Sequence, residues 1–274
     1  GPALAPAVSA GARLQAGQED RAVFVEVCNM SFVSRYCPEA GAGGYSSVDG
    51  SVEFYSRVGS LLRDDMTVLD FGAGRGGWFE DDPVEYRRNM RLLKGRVREV
   101  LGCDVDAAVL ENRAVDRAFV CDIGSRLELD DDSVDLIICD YVFEHVADPA
   151  WLGAELERIL KPGGWICGRT PGKYSYVALA ARAVPNRLHG QVLGSVQPGR
   201  KTVDVFPTVY RMNTRKALAS VFPRERYEDC TYYYAGEPAY HFGSAVMYQF
   251  LRFIAWVSPR PFYANLFVFL RKRS

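Results

Sequence analysis

Val68-Leu69-Asp70-Phe71-Gly72-Ala73-Gly74-Arg75-Gly76-Gly77 constrains this chain more than any other stretch. An apolar strand delivers an acid, and a glycine-rich turn follows at once. Glycine tolerates φ > 0, and its missing side chain leaves room for a ligand against the backbone. The run fits two patterns for nucleotide-like cofactors, and a lone glycine motif does not separate them. The rest of the chain has to choose.

The flanking text alternates short apolar runs with helical patterns. Val68–Phe71, Val97–Cys103, Ala118–Cys121, Val134–Cys139 and Trp165–Gly168 read as strands. Pro83–Lys94, Ala107–Asn112 and Ala150–Leu160 read as helices, the last closed by Lys161-Pro162-Gly163-Gly164. Repeated strand–helix units predict a parallel sheet covered on both faces, with ligands at the strand C-terminal edge. Asp70, Asp104, Asp122 and Asp140 all fall at or near that edge. The fold expected is α/β, Rossmann-like and doubly wound, with a mainly parallel seven-stranded sheet. The strand-like segments Arg226–Tyr234 and Asn265–Arg271 would supply an antiparallel C-terminal hairpin.

Around this core, Gly1-Pro2 reads as a scar of tag cleavage, and residues 1–18 as a disordered Ala/Gly/Pro-rich tail. Residues 19–66 read as an N-terminal helical cap, and 67–274 as the cofactor-binding domain. Residues 169–216 break the alternation. They hold nine Lys/Arg and one acid, Asp204, and read as a basic insertion shaping a substrate site.

With 33 Lys/Arg against 34 Asp/Glu, overall charge does not suggest nucleic acid as the main partner. Seven cysteines without a CxxC pair read as reduced thiols of a cytoplasmic protein. Four of them, Cys103, Cys121, Cys139 and Cys167, end strands and read as small buried hydrophobes. No apolar run of about 18 residues predicts a membrane span.

Five ordered features, Val68–Gly76, Val100–Asp104, Cys121-Asp122-Ile123, Asp135–His145 and Leu160–Gly164, resemble the class I S-adenosylmethionine-dependent methyltransferases. The resemblance covers residues 50–170. It implies a cofactor site of Asp70, Gly72, Ala73, Gly74, Gly76, Asp104, Val105, Asp122, Ile123 and Asp140. S-adenosylmethionine carries an ammonium, a carboxylate and a ribose diol but no phosphate. Asp70 can help hold the ammonium, the turn amides can face the carboxylate, and Asp104 can accept both ribose hydroxyls. Asp122 would accept from the adenine amino group, with Ile123 near the ring. A nicotinamide enzyme instead places its ribose acid ~20 residues past the glycine motif, whereas Gly72 and Asp104 stand 32 positions apart.

Glu144 and His145 follow the fourth strand, where this fold exposes its acceptor, and His145 is the leading candidate base for a hydroxyl acceptor. The alternative is that the pair stabilises the loop and helix start beyond the strand. Cys139–His145 also resembles a magnesium-holding Glu-x-x-Glu-His segment of quinone-biosynthesis O-methyltransferases, but Tyr141 replaces the first glutamate, and no metal is expected.

The basic stretch favours an anionic acceptor. Tyr141, Arg169, Lys173, His189, Tyr210 and Arg211 are its candidate contacts. Arg169–Lys173 and Asp204–Arg211 resemble, more loosely, segments of bacterial methyltransferases of glycan assembly. That implies a sugar hydroxyl on a nucleotide-linked, lipid-linked or polymeric glycan. The alternatives are a small aromatic or lipid-like acceptor, or a non-catalytic cofactor-binding partner in a glycan-assembly complex. Ten of the 33 residues from Pro238 to Leu270 are aromatic. Packing against the sheet or in a homodimer is the first reading of that segment. Docking on the inner face of a membrane is the second.

Overall fold

The computed structural model describes residues 34–176, 178–179, 207–238, 241 and 243–274. Expectations for residues 1–33, for His189 and for most of the basic insertion (180–206) lie outside the described residues.

Eight strands form one sheet: β1 (Thr67–Phe71), β2 (Glu99–Asp104), β3 (Arg117–Val120), β4 (Val134–Asp140), β5 (Leu160–Pro171), β6 (Tyr227–Asp229), β7 (Tyr232–Tyr234) and β8 (Asn265–Lys272). The order is β3-β2-β1-β4-β5-β8-β6, with β7 also paired to β8. The first five strands pair in parallel, and β8 runs antiparallel to β5. The fold is therefore the expected mostly parallel α/β sheet with antiparallel pairing near the C-terminus. The antiparallel element is not a tight hairpin. A long helical connection separates β7 from β8, and the expected single strand over 226–234 is interrupted at Cys230-Thr231.

Fully within the described residues, six helices accompany the sheet: α1 (Gly50–Leu61), α2 (Trp78–Asp81), α3 (Glu85–Arg91), α4 (Pro149–Ile159), α5 (Arg215–Val221) and α6 (Ala245–Val257). Four begin at side-chain caps, α5 among them, where Thr214 accepts from the Ala217 amide. Asp49 accepts from Ser51 and Val52, Asp148 from Ala150 and Trp151, and Ser244 from Met247. Residues Ala107–Glu111 make a 3-10 turn where a helix was expected. The Lys161–Gly164 segment does not leave the sheet but is absorbed into β5 as an irregularity against Val134 and Leu136.

Because strand side chains alternate, each strand feeds both faces. Leu69, Leu101, Ile137 and Ile166 pack with Leu152 and Leu156 of α4 and Leu218 of α5 on one face. Val68, Val100, Leu136, Ile138 and Phe267 pack with Phe54, Tyr55 and Val58 of α1 on the other. Helix α1, within the segment expected as a separate cap, is thus part of the layer over the sheet. By the same parity Asp70, Asp104, Asp140 and Arg169 all project to the α1 face at the C-terminal edge.

Cys103, Cys121, Cys139 and Cys167 are free and buried, as small core residues. Helix α6 departs from the packing expectation. It buries Tyr248 and Leu251, while Val246, Phe250, Phe253, Trp256 and Val257 stay exposed. Among the described residues no helix is long and apolar enough to cross a membrane.

Candidate functional site

The glycine turn bends over the end of β2. Gly72 and Ala73 both donate their amides to the Cys103 carbonyl, at 2.7 and 3.1 Å. Gly72, Gly74 and Gly76 have φ of 79°, 52° and 71°, a region that L side chains avoid. At Gly76 a Cβ would stand 2.2 Å from Asn112 Oδ1. At Gly74 a Cβ would meet nothing within 4 Å, so the turn there borders open space that a ligand can fill. Asn112, which the sequence reading passed over, clamps the turn. Its Nδ2 donates to the Ala73 and Gly74 carbonyls at 3.1 Å each, and its Oδ1 accepts from the Ala114 amide. A lone Asn carries no sequence signal for that role.

Asp104 accepts from the Gly74 amide at 3.0 Å on one carboxylate oxygen and from the Asp106 amide at 2.9 Å on the other. Each oxygen has a second lone-pair direction, so the carboxylate can still receive a diol. Val105 and Ile123 are 42% and 58% exposed, and Asp122 beside Ile123 is exposed too. Two bare aliphatic side chains flanked by Asp104 and Asp122 suit a flat base with an adjoining ribose. The donors and acceptors at this edge fit S-adenosylmethionine.

Behind the turn, charge is concentrated on the α1 face. Asp140 receives two nitrogens of Arg169, Nη2 at 3.0 Å and a closer Nε, and the Tyr55 hydroxyl at 3.0 Å. Arg91 Nη2 approaches the same carboxylate at 3.5 Å, and its guanidinium lies 4.4 Å over the Trp78 ring. Arg91 Nε is buried without a partner among the described residues. Burial opposes ionisation of Asp140, but the Arg169 guanidinium outweighs it and holds the carboxyl below its usual range. Arg169 also donates to Ser51 Oγ at 2.8 Å. Arg169, expected from the sequence to contact the acceptor, is instead 5% exposed and paired with Asp140, the acid expected to serve the cofactor.

Half-buried Asp70 behaves differently. Burial, then the Asp140 carboxylate, push its carboxyl up to about 7, with Arg91 pulling the other way and Asp104 adding to the rise. The unfolded value is about 3.9, so the folded chain binds this proton more tightly. The stabilisation is full below the unfolded value and is lost as pH rises through about 7. Melting of the cofactor-free protein should therefore fall between pH about 4 and 7 and level off above that, and Asp70→Asn should flatten that limb. A cationic ligand needs the carboxylate, so wild-type affinity for S-adenosylmethionine should rise with pH up to about 7 and level off above it. Calorimetry showing the same pH dependence in Asp70→Asn would remove Asp70 from the ammonium site.

On the acceptor side, Tyr141 stands just past β4 with φ of 59° and is 43% exposed; its ring lies 4.8 Å from the Arg169 guanidinium carbon. Its hydroxyl reaches Asn265 Oδ1 at 3.3 Å. Positive φ in a bulky residue is a strained arrangement of the kind that gathers at functional sites. Tyr210, with φ of 52°, is buried, and its amide donates to the Glu144 carbonyl. Lys173 donates its amide to the Asn213 carbonyl, and the Arg211 guanidinium donates to the Ala147 carbonyl.

Glu144 is buried and accepts from Thr170 Oγ1 at 2.8 Å; Thr170 in turn receives Asn213 Nδ2 at 2.6 Å. His145 Nδ1 lies 3.0 Å from the Pro207 carbonyl, and its Nε2 lies 3.9 Å from Glu144 Oε1. A carbonyl only accepts, so Nδ1 carries the hydrogen and Nε2 is the nitrogen able to take a proton. Among the described residues, no group of three or more His, Cys, Asp or Glu side chains is placed to hold a metal ion.

The fold and the turn together define a Rossmann-like domain built for a nucleoside-type cofactor. Residues 69–168 match the family described as the methyltransferase domain. An uncharacterised methyltransferase of Mycolicibacterium vanbaalenii is 36% identical over 99 residues, 36% of this chain and 36% of that one. The chain thus aligns with about a third of that relative's length.

Solved structures agree in fold. An S-adenosylmethionine-dependent methyltransferase of Mesorhizobium loti is 18% identical, with a TM-score of 0.50 over 82% of this chain and 100% of that one. The protein solved with the Haloferax volcanii Trm112 methyltransferase activator is 19% identical, with a TM-score of 0.52 over 81% and 90%. A geranyl diphosphate methyltransferase solved with its diphosphate and sinefungin is 14% identical, with a TM-score of 0.50 over 82% and 76%. Residues 69–168 therefore carry a methyltransferase domain, set in the fold of S-adenosylmethionine-dependent methyltransferases.

Proposed function

We propose that this chain methylates a sugar hydroxyl on a nucleotide-linked, lipid-linked or polymeric glycan, with His145 as the base. The observation that carries the reading is the Pro207 carbonyl 3.0 Å from His145 Nδ1. It fixes the tautomer whose Nε2 can accept a hydroxyl proton, and the Glu144 carboxylate 3.9 Å from Nε2 stabilises the imidazolium that results. When bound, S-adenosylmethionine supplies an electrophilic methyl group on a sulfonium. Asp104 would hold its ribose, Asp122 its adenine amino group between Val105 and Ile123, and Asp70 its ammonium. Gly72–Gly76 present backbone without side chains. With the chemistry so supplied, the remaining task is to position the acceptor, and Tyr141 and Lys173 stand on that side of the edge.

The glycan part rests on the local excess of basic residues and on the loose likeness of Arg169–Lys173 and Asp204–Arg211 to glycan-assembly enzymes. A lipid-like acceptor is the second reading. The exposed apolar side chains of α6 favour it, and the geranyl diphosphate enzyme shows only that the fold can serve such a molecule.

The test is transfer of labelled methyl groups to nucleotide sugars, polyprenyl-phosphate-linked sugars and a polymeric glycan. Label in an alkali-stable methyl ether of a sugar is the expected product. Calorimetric binding of S-adenosylhomocysteine with label in none of them would sink the glycan reading. Asp104→Ala should weaken S-adenosylhomocysteine binding roughly tenfold to a hundredfold, through lost charged hydrogen bonds. An unchanged affinity in a folded variant would remove Asp104 from the ribose site.

A further inference from the structure

We propose that α6 is an interfacial helix that seats this chain on an anionic lipid surface, beside the mouth of the methyltransfer site. A helix packed on a globular core shows water its polar side. Helix α6 does the reverse. Tyr248 and Leu251 mark the stripe turned inward, and at 100° per residue Val246, Phe250, Phe253 and Val257 cluster about the opposite pole. Those four are 81, 54, 54 and 50% exposed, and Trp256 on the flank is 79% exposed. Arg252 and Arg260, along and after the helix, give it a basic border, with Glu39 of another segment the acid that faces Arg252. From Pro238 to Ser274 there is no Asp or Glu at all, and there are five Lys/Arg.

That chemistry selects the occupant. Aromatic and aliphatic side chains opposite an arginine border are the pattern of helices that lie in a lipid interface. Each arginine held near an anionic surface adds roughly a fivefold gain in partition. A second copy of this chain fits less well. A helix crossing its two-fold mate covers only a stripe, short of the about 1,200 Å² at which stable interfaces begin.

The face is continuous with the acceptor side. After α6, Phe262 meets the Tyr174 ring at 6.2 Å between centroids, and the Ala264 carbonyl accepts the Gly172 amide at 2.9 Å. Tyr174, 47% exposed, follows the end of β5 directly. Asn265, the first residue of β8, holds the Tyr141 hydroxyl. A lipid surface under α6 therefore lies against the edge where the acceptor enters, which selects a lipid-linked glycan among the acceptors above. Only this last step rests on the proposed reaction; the docking itself does not.

The experiment is cosedimentation of the full chain, without cofactor, with vesicles of phosphatidylcholine alone or mixed with phosphatidylglycerol. Binding is expected to the mixture, weaker binding to phosphatidylcholine, and a blue shift of Trp256 emission on binding. The triple variant Phe250→Gln/Phe253→Gln/Trp256→Gln should lose at least about tenfold in partition, while binding S-adenosylhomocysteine with unchanged affinity as evidence of an intact fold. Two outcomes overturn the proposal: no binding to either vesicle, or a wild-type dimer that the triple variant dissolves. Vesicle binding without methyl transfer would leave the docking standing and remove the glycan reaction instead.

Discussion

Arg169→Met is expected to destabilise the protein by about 3–5 kcal/mol, the cost of leaving one member of a buried ion pair alone. The side chains of Arg169 and Asp140 are 6% and 11% exposed, so water cannot take over the lost contacts. Methionine keeps the length of the arginine stem and removes only the charged fork. What remains is a carboxylate with the Tyr55 hydroxyl at 3.0 Å and Arg91 at 3.5 Å, neither replacing two guanidinium nitrogens. At the size of this domain that loss lowers the melting temperature by roughly 10 °C.

Two further readings separate lost pairing from lost packing. The double variant Arg169→Met/Asp140→Leu should recover most of the stability, because no lone charge is left. The deficit of the single variant should narrow as pH falls. Its stranded Asp140 then takes a proton, whereas in the wild type the depressed Asp140 carboxyl stays charged until lower pH and loses its contribution only there. A single variant that melts within about 2 °C of wild type would show the pair to be dispensable. The same substitution also frees Ser51 at the start of α1 and the ring of Tyr141, which Arg169 contacts from one side. One guanidinium therefore links the stability of the buried pair to the position of Tyr141, the proposed acceptor contact.

The contrast between these two carboxylates explains what a sequence can and cannot disclose. Strand-end acids are visible because apolar runs with a fixed two-residue period stop at a charged residue. The strand pattern then places Asp70, Asp104 and Asp140 at one edge of the sheet, and the observed packing adds that they share a face. The glycine turn is visible because three positive φ values demand a residue type. Partners are another matter. Asp140 reads as a cofactor ligand until Arg169, 29 residues away, is seen to close on it. Asn112 and Arg91 act through contacts that no spacing encodes. Asn112 lies 38 positions from the Gly74 carbonyl that it binds.

Tertiary pairing also reshapes what local chemistry signals. Pro162-Gly163-Gly164 ends the helix as expected, at Ile159, but pairing of Leu160 with Val134 and of Trp165 with Leu136 makes the segment an irregularity within β5. Helix α6 shows the opposite limit. Its aromatic content suggested packing, but composition does not tell which pole of a helix meets the core. The inward stripe is set by Tyr36 and Cys37, which contact Tyr248 from more than two hundred residues upstream.

His145→Ala should cut methyl transfer to the acceptor that takes label by roughly a hundredfold to ten-thousandfold, the usual worth of a positioned general base. Cofactor affinity should stay within about twofold, since in the proposed site the cofactor is held by Asp104 and the glycine turn and not by the imidazole. The proposed mechanism makes the profile specific. A neutral imidazole is the active form, so wild-type turnover should fall on the acid side as Nε2 is protonated, and the variant should lose that limb along with its rate. Glu144→Gln keeps the size of the group and its place against Thr170 Oγ1, 2.8 Å away, but removes the charge 3.9 Å from Nε2. It should slow transfer less than His145→Ala and move the acid limb to lower pH, because the imidazolium loses its counter-charge. Full turnover in a folded His145→Ala enzyme would exclude the imidazole as an essential base. The Glu144-His145 pair would then be an anchor for the chain at Pro207–Tyr210, whose backbone both residues bind. Proximity alone would have to drive the reaction in that case. Such a mechanism suits an acceptor already acidic enough to attack as an anion, and the variant's rate should then climb with pH through the acceptor's own pKa.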